Sequence, residues 1–225
     1  ELFVQIDGAL RRRELELSHQ RTEQQLQAQI RAKTAEIRYA HEEIVMRLMA
    51  ASEFRDNETG QHIRRLGLYS AALARLLGWE EAIQDRLRLA AAMHDVGKIG
   101  IPDHILLKPG RLDAQEWEIM KTHTRIGHQI LSGSQIPVLE MAAQIALRHH
   151  ERWDGGGYPD GLSGHEIPIE ARIITVVDVY DALTHVRCYK PAWPEEDAIL
   201  EMKRLSGAHF DPDLLALFID NLPAM

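Results

Sequence analysis

The chain has 225 residues and a mass of 25.6 kDa, enough for one well-buried core and an appendage. Hydrophobic residues make up 45% and charged residues 27%, which excludes a wholly disordered or fibrous protein. The net charge is −8, and because residues 1–50 carry eight basic and eight acidic side chains, the acidic excess belongs to the remainder, which disfavours a binder of duplex nucleic acid.

The sequence shows no pattern of membrane insertion or secretion. No apolar run approaches the roughly 20 residues that a membrane-spanning helix needs, and the N-terminus lacks the basic and then apolar segments of a signal peptide. Cys188 is the single cysteine, so an intrachain disulfide cannot form. We therefore expect a cytoplasmic chain with no membrane span.

The N-terminal segment, residues 1–57, is predicted to be one long helix because it contains no Pro and has Gly8 as its only Gly. Small or branched apolar residues recur in it every seven positions, at Ile30, Ile37, Ile44 and Ala51. This heptad spacing is typical of a coiled coil and favours a homodimer through the N-terminal helix. A solvated helix that packs one stripe against its own domain remains the alternative.

The second segment, residues 58–225, consists of shorter amphipathic stretches that Gly and Pro interrupt. We predict helices near residues 60–77, 80–97, 114–131, 138–150, 168–184, 194–206 and 212–221. Helix starts are indicated by Asp113 with Glu116, by Pro194 and by Asp211 with Pro212. The valines of residues 176–179 favour a strand by propensity, but the helical spacing of their apolar neighbours predicts a buried helix. The fold class is therefore all-α.

Five of the twelve histidines lie beside one another or near carboxylates: His62, His94, His123, His149 and His150. Asp178 lies in an apolar run, where an ionised carboxylate is costly to bury unless it is paired or binds a metal. For any one of these histidines a structural role is the ordinary interpretation, but the joint pattern favours ligands. The same structural interpretation is kept for the other seven, His19, His41, His104, His128, His165, His185 and His209.

The types of these residues indicate which metals they would bind. Imidazole and carboxylate ligands without thiolate suit divalent metals such as Fe, Mn, Ni or Zn, rather than a Cys-based structural zinc site. An Asp has two oxygens and can bridge two metal ions, whereas a His cannot. Bound divalent ions lower the pKa of water and polarise a phosphoryl centre. The pattern therefore predicts a metal-dependent hydrolase of phosphate esters.

Six ordered motifs carry a resemblance to a known family. Residues 94–102 read HDVGKIGIP and residues 149–159 read HHERWDGGGYP. Shorter matches are residues 57–62 (NETGQH), 120–123 (MKTH), 178–184 (DVYDALT) and 207–212 (GAHFDP). Over residues 52–221 the chain resembles the HD-GYP branch of the HD phosphohydrolases, which implies an HD-domain helical bundle from residue 58 onward, preceded by the signalling helix.

The resemblance implies a metal site with two or three divalent ions, of which Asp95 would bridge two. The metal ligands that it implies are Glu58, His62, His94, Asp95, His123, His149, His150 and Asp178. A glutamate at position 58 goes with a third metal in the family. The catalytic residues would be Asp95 and Lys98, and the residues implied to contact substrate are Lys98, Asp154, Gly157, Tyr158, Asp181, Arg187 and Lys190. The chain departs from the family pattern at Cys188, where a proline is usual.

The family implies hydrolysis of cyclic di-GMP to pGpG and then to GMP. Two alternatives remain open: a receptor that binds cyclic di-GMP with little turnover and acts through partner proteins, and an HD hydrolase of another phosphate ester. Residues 2–13 resemble the last helix of a response-regulator receiver domain, which implies an upstream receiver domain or a partner kinase.

Overall fold

The computed structural model describes residues 2–53, 55, 60–186 and 192–222. Within these ranges the chain forms ten α-helices: α1 (Leu2–Glu53), α2 (Gly60–Leu76), α3 (Glu81–Ala91), α4 (Asp103–Leu106), α5 (Ala114–Lys121), α6 (His123–Leu131), α7 (Pro137–Arg148), α8 (Ile169–Thr184), α9 (Glu195–Arg204) and α10 (Pro212–Asn221). Two short 3₁₀ helices lie at Val96–Gly100 and Gly164–Glu166.

The described residues contain no β-strand, which confirms the all-α prediction. Two isolated β-bridges join Asp154 to Ser163 and Ser206 to Phe210. None of the helices in the described ranges combines the length and the apolar character that a membrane span requires.

The chain divides into two compact units, Glu1–Ile44 and Val45–Met225. In the first unit α1 is a single uninterrupted helix, and the side chains of Ile30, Ile37 and Ile44 are more than half exposed. The coiled-coil homodimer and the upstream receiver domain stay predictions. In the second unit the last turns of α1 pack through Val45 and Met49 against the main core.

Helix α8 lies at the centre of the second unit. Its helical conformation confirms the prediction of a buried helix at residues where valine propensity alone would favour a strand. Ile173, Ile174, Val176 and Val177 are completely buried in it. Helices α2, α7, α9 and α10 pack around α8, while α3 packs against α2 and α7. Full burial of each such aliphatic side chain contributes about 1.5–3 kcal/mol. The position of Asp178 on α8 therefore follows from the packing of its neighbours.

The predicted helix starts at Asp113 and Asp211 are confirmed. Asp113 accepts hydrogen bonds from the backbone N–H groups of Gln115 and Glu116, and the Glu116 carboxylate accepts the Asp113 N–H at 2.8 Å, which completes a capping box. Asp211 caps α10 by accepting hydrogen bonds from the backbone N–H groups of Asp213 and Leu214, with Pro212 in the first turn.

Two predicted helices end or break earlier than expected. The helix predicted for residues 80–97 ends at Ala91, where hydrogen bonds to the third preceding residue tighten the chain and Val96–Gly100 becomes a 3₁₀ helix. The helix predicted for residues 114–131 breaks at Thr122, whose hydroxyl donates to the Ile119 carbonyl at 2.6 Å. Both breaks lie next to predicted metal ligands, His94 and His123.

Candidate metal centre

Five segments of the second unit bring the predicted ligands together. They are the first turn of α2, the loop after α3, the first residue of α6, the end of α7 and the third turn of α8. These segments supply His62, His94, Asp95, His123, His149, His150 and Asp178. The histidines at positions 62, 94, 123 and 149 are at least 96% buried, so the cluster lies below the surface.

Three of the histidines share one hydrogen-bonding arrangement. The Nδ1 of His94 lies 2.9 Å from the Ala91 carbonyl oxygen, that of His123 lies 2.8 Å from the Met120 carbonyl oxygen, and that of His149 lies 3.0 Å from the Ile145 carbonyl oxygen. A carbonyl can only accept, so each Nδ1 carries the proton. In the neutral ring the lone pair is then on Nε2, the tautomer that ligates a metal.

His62 differs because its Nδ1 meets a carboxylate. It lies 2.6 Å from Oδ2 of Asp181, while its Nε2 lies 3.6 Å from Oδ1 of Asp178. A carboxylate behind a histidine fixes the ring orientation and increases its basicity. The geometry of His62 therefore matches that of the other three rings.

The donor atoms form two groups. His62, His94 and Asp178 make one, and Asp95, His123, His149 and His150 make the other; within each group the candidate ligand atoms lie within 4.8 Å of one another. Asp95 lies between the groups. Its Oδ2 is 3.2 Å from Nε2 of His94, and its Oδ1 is 3.3 Å from Nε2 of His123 and 3.5 Å from Nε2 of His149.

The polar atoms at the centre of the second group fit divalent metal ions. Oδ1 of Asp95 and Nε2 of His123 and of His149 are buried, and none makes a hydrogen bond with the described part of the chain. Buried polar atoms normally have partners, because leaving one unpaired costs about 1–3 kcal/mol. Imidazole nitrogen and carboxylate oxygen are ligands that Fe, Mn, Ni and Zn accept. The donor set therefore fits the predicted metals.

The ionisation states also suit ligands. Burial lowers the pKa of His149, and burial together with the neighbouring His149 ring places the pKa of His150 well below its usual range, so both rings are neutral. Burial alone would raise the pKa of Asp95, but the Lys98 ammonium together with the rings of His94, His123 and His149 holds that pKa well below the usual range. Neutral imidazoles and an ionised carboxylate are the forms that bind metals.

Lys98 is held beside the cluster by the 3₁₀ helix that follows the His94-Asp95 pair. Its Nζ lies 2.8 Å from Oδ2 of Asp95, and its side chain is about one-fifth exposed. Gly97 allows this turn to approach α6, since a Cβ there would lie 1.9 Å from the His123 carbonyl oxygen. The ammonium group is therefore both near the predicted bridge and open to solvent.

The structure corrects the predicted role of Asp181. It was expected to contact substrate, but it is 1% exposed and lies behind His62. Its Oδ1 accepts a hydrogen bond from Nε of Arg65 at 2.5 Å, and its Oδ2 accepts one from Nη2 of Arg65 at 2.9 Å. Burial would raise the pKa of Asp181, but Arg65 and His62 reverse the shift and keep the carboxylate ionised. Asp181 is therefore placed to orient His62, and we propose this support role in place of a substrate contact.

We expect Asp181→Ala to weaken metal binding by about 10- to 100-fold, the usual effect of removing a partner behind a metal ligand. The affinity for Mn²⁺ can be measured by competition with a chromophoric chelator. Glu201→Ala is the matched control, because it removes a carboxylate that pairs with Arg204 at the surface. Equal Mn²⁺ affinities for the two variants would contradict the role of Asp181.

The loop of residues 151–160 is anchored by Glu151, which is 1% exposed. The Glu151 carboxylate accepts the backbone N–H of Asp160 at 3.0 Å and that of Leu162 at 3.1 Å. Arg148 pairs with Glu151 at 3.1 Å and also with Asp160. A buried acid with four lone-pair sites therefore fastens the loop to the end of α7.

Three residues of this loop were expected to contact substrate. Tyr158 is half-buried and stacks on His150 with ring centroids 4.7 Å apart. Gly157 packs so closely that a Cβ would lie 2.3 Å from the Arg152 backbone nitrogen, so its absence of a side chain serves the loop fold. Asp154 pairs with Arg152, which lowers its pKa to about 2. Substrate contacts by these residues stay predictions.

Three predicted site residues, Glu58, Arg187 and Lys190, lie outside the described residues, as does the departure at Cys188. The sequence reasoning also missed two side chains that support the site, Arg65 and Glu151. A signal for Arg65 was available, because it follows His62 by three residues on one helix face. Glu151 follows the histidine doublet directly, but only the folded loop shows that its carboxylate is buried.

The model of the HD domain family matches residues 43–214. The chain is 48% identical over 177 residues to a cyclic di-GMP phosphodiesterase of Thermotoga maritima, which covers 79% of this chain and 48% of that protein. It is 45% identical over 186 residues to the 3′3′-cGAMP-specific phosphodiesterase 2 of Vibrio cholerae, which covers 83% of this chain and 36% of that protein.

The chain thus spans less than half the length of these two curated relatives. Its fold is similar to the crystal structure of a cyclic GMP-AMP-specific phosphodiesterase of Vibrio cholerae, with a TM-score of 0.61 and 19% identity. The match covers 81% of this chain and 48% of that one. At that identity the likeness shows the helical fold alone.

Proposed function

Because the chain belongs to the HD domain family, we propose that it is a metal-dependent phosphodiesterase that hydrolyses cyclic di-GMP to pGpG and then to GMP. The observation that carries this proposal is the common orientation of four histidines around Asp95. Each has its Nδ1 proton on a carbonyl or carboxylate acceptor and its Nε2 at the cluster. Histidines that ligate a metal almost always donate their other ring N–H in this way.

A cyclic dinucleotide is supported as the substrate class by the relatives. The Thermotoga maritima relative is named for cyclic di-GMP and the Vibrio cholerae relative for 3′3′-cGAMP, and both match most of this chain. We favour cyclic di-GMP because the identity is slightly higher to the relative named for it and because the six sequence motifs resemble the HD-GYP branch.

The two donor groups would each hold one ion. His62, His94 and Asp178 would hold the first, and His123, His149 and His150 the second, with one oxygen of Asp95 toward each. Glu58 would serve a third ion, and the ions would be Fe or Mn. When bound, such ions polarise phosphoryl oxygens and lower the pKa of water to about 7, which supplies a nucleophile at neutral pH.

The remaining chemistry belongs to the residues of the chain. Lys98 would donate hydrogen bonds to a phosphate oxygen and neutralise the charge that develops in the transition state. Tyr158 keeps its proton, because burial raises its pKa, so its hydroxyl can act as a donor. Arg187 and Lys190 would bind the second phosphate and the bases. The neutral rings of His149 and His150 accept no proton at neutral pH and so act as ligands.

The proposal is tested by product analysis. Protein loaded with Fe²⁺ or Mn²⁺ without oxygen should convert cyclic di-GMP to pGpG and GMP, which chromatography separates. A parallel reaction with 3′3′-cGAMP determines the substrate preference. Tight binding without product would support a receptor instead. Neither binding nor turnover of either dinucleotide would contradict the proposed substrate class.

A further inference from the structure

Aromatic rings extend from the metal centre toward the surface. His150, a predicted ligand, stacks on Tyr158 with an interplanar angle of 25°. Tyr158 in turn contacts Trp117 of α5, with ring centroids 6.0 Å apart and an interplanar angle of 80°. The Trp117 side chain is 45% exposed, whereas Tyr158 is half-buried. The outermost ring of the series is therefore the one that solvent reaches.

Helix α5 presents a charged group next to this ring. Trp117 and Lys121 are four residues apart on one helix face, and Nζ of Lys121 lies 5.9 Å from the Tyr158 ring centroid. None of the residues of α5, which is described in full, is completely buried. A single exposed tryptophan is ordinary on a protein surface. An exposed indole and an ammonium that both adjoin the tyrosine stacked on a metal ligand are a more specific arrangement.

A nucleotide at this centre would place its parts at different depths. The phosphate must reach the donor atoms, and a ribose separates each phosphate from its base, so the base lies outside the cluster. The base needs a flat apolar partner, because stacking on an aromatic side chain is the common way in which proteins hold an unpaired base. Trp117 is an exposed ring that contacts Tyr158, the tyrosine stacked on the predicted ligand His150.

We infer that Trp117 forms a base-stacking subsite for one purine of the cyclic dinucleotide, with Lys121 beside it for the sugar-phosphate backbone. This inference rests on the proposed function, because it takes a cyclic dinucleotide as the ligand of the metal centre. Stacking tolerates different bases because every base has a π face. The subsite would therefore contribute to affinity for guanine and adenine alike, rather than select between cyclic di-GMP and 3′3′-cGAMP.

The test is the effect of Trp117→Ala on steady-state kinetics with cyclic di-GMP. Loss of one stacked base costs about 1–3 kcal/mol, which corresponds to a rise in KM of roughly 5- to 150-fold. We expect kcat to change little, because Trp117 does not touch the reacting phosphate. Trp117→Phe keeps an aromatic face and should recover most of the affinity, whereas Trp117→Leu keeps the apolar volume alone and should behave like Trp117→Ala.

Ile119→Ala is the matched control. Ile119 lies on the same helix with a similar exposure of 42%, but about 200° around the helix from Trp117. The KM of Ile119→Ala for cyclic di-GMP should equal that of the unaltered chain. Calorimetric binding of the bis-phosphorothioate analogue of cyclic di-GMP gives a second measurement that does not depend on turnover, and it should weaken in Trp117→Ala by the same factor as KM rises.

The outcomes separate this inference from the proposed function. Suppose that the unaltered chain hydrolyses cyclic di-GMP and that Trp117→Ala leaves both KM and the affinity for the analogue unchanged. The base-stacking role of Trp117 is then wrong, and the proposed function stands. Equal losses in Trp117→Leu and Trp117→Phe would also overturn it, since a stacking role requires the aromatic ring. If the unaltered chain neither binds nor hydrolyses a cyclic dinucleotide, both proposals fail.

Discussion

Asp95→Ala should abolish hydrolysis of cyclic di-GMP and reduce the number of bound metal ions. Asp95 is the carboxylate that faces both donor groups, with Oδ2 3.2 Å from His94 and Oδ1 3.3 Å from His123. Its removal leaves no anionic ligand between the two groups of donor atoms. The loss in kcat/KM should exceed the roughly 10- to 100-fold that partners behind metal ligands contribute. Product chromatography and elemental analysis of the purified protein measure both effects.

A control variant separates loss of the metal bridge from loss of a buried charge. Asp211 is also a buried carboxylate, but it caps α10 and pairs with Arg172. Asp211→Ala should lower the free energy of unfolding by about 1–2 kcal/mol through the lost cap and further through the unpaired Arg172, yet keep its metal content and activity at permissive temperature. An Asp95→Ala protein with normal metal content and turnover would show that Asp95 is not a bridge.

Gly97→Ala should have the largest effect on stability of any single-methyl change in the site. The added Cβ would lie 1.9 Å from the His123 carbonyl oxygen and 2.5 Å from the Gly127 nitrogen, which are backbone atoms that cannot rotate away. Overpacking in a close-packed interior costs typically 1–3 kcal/mol and occasionally more. We expect a cost at the upper end, measured as a lower midpoint in urea unfolding, together with displacement of Lys98 and reduced kcat.

Gly100→Ala, at the other end of the same 3₁₀ helix, is the control. There the Cβ would meet two atoms of the Ile126 side chain at 3.0 Å, and that side chain can change its rotamer. The urea midpoint should therefore move much less than for Gly97→Ala. Similar midpoints for the two variants would show that the approach of the 3₁₀ helix to α6 is not tight.

Much of the fold could be predicted because local signals and apolar periodicity agree along the second unit. The Asp113 capping box and the Asp211-Pro212 start are chemical signals of a few adjacent residues, and both are confirmed. The family assignment from six motifs is confirmed by the HD domain match over residues 43–214. Where the signal is local, the sequence suffices.

The errors lie where tertiary contacts override local preference. Residues 92–97 have the apolar character of a helix, but Gly97 must lie against α6, where a Cβ would meet the His123 carbonyl oxygen at 1.9 Å. The sequence also does not predict the break at Thr122. This break starts α6 at His123, whose ring lies in the cluster. In both places the backbone departs from a regular helix at a ligand, where functional geometry competes with helix propensity.

Asp181 shows a different limit of sequence reasoning. Its motif places it one turn after Asp178 on α8, which is compatible with either a substrate contact or a support role. The choice depends on Arg65 and His62, which are more than 110 residues away in sequence and contact it at 2.5 and 2.6 Å. A long-range pair of this kind leaves no local pattern, so the support role became visible only in the structure.

The anchoring of residues 151–160 by Glu151 has a consequence for the entropy of association. Two backbone N–H groups and Arg148 already hold the loop, so Tyr158 occupies its place over His150 before a ligand arrives. Ordering a mobile side chain on binding costs about 0.5–1.5 kcal/mol, and a loop that is fixed in advance avoids that cost. A loop that is fixed in advance also adjusts little to the shape of a ligand, so it favours ligands whose own conformation is constrained. A cyclic dinucleotide, with both ends closed into a ring, meets that condition better than a linear one.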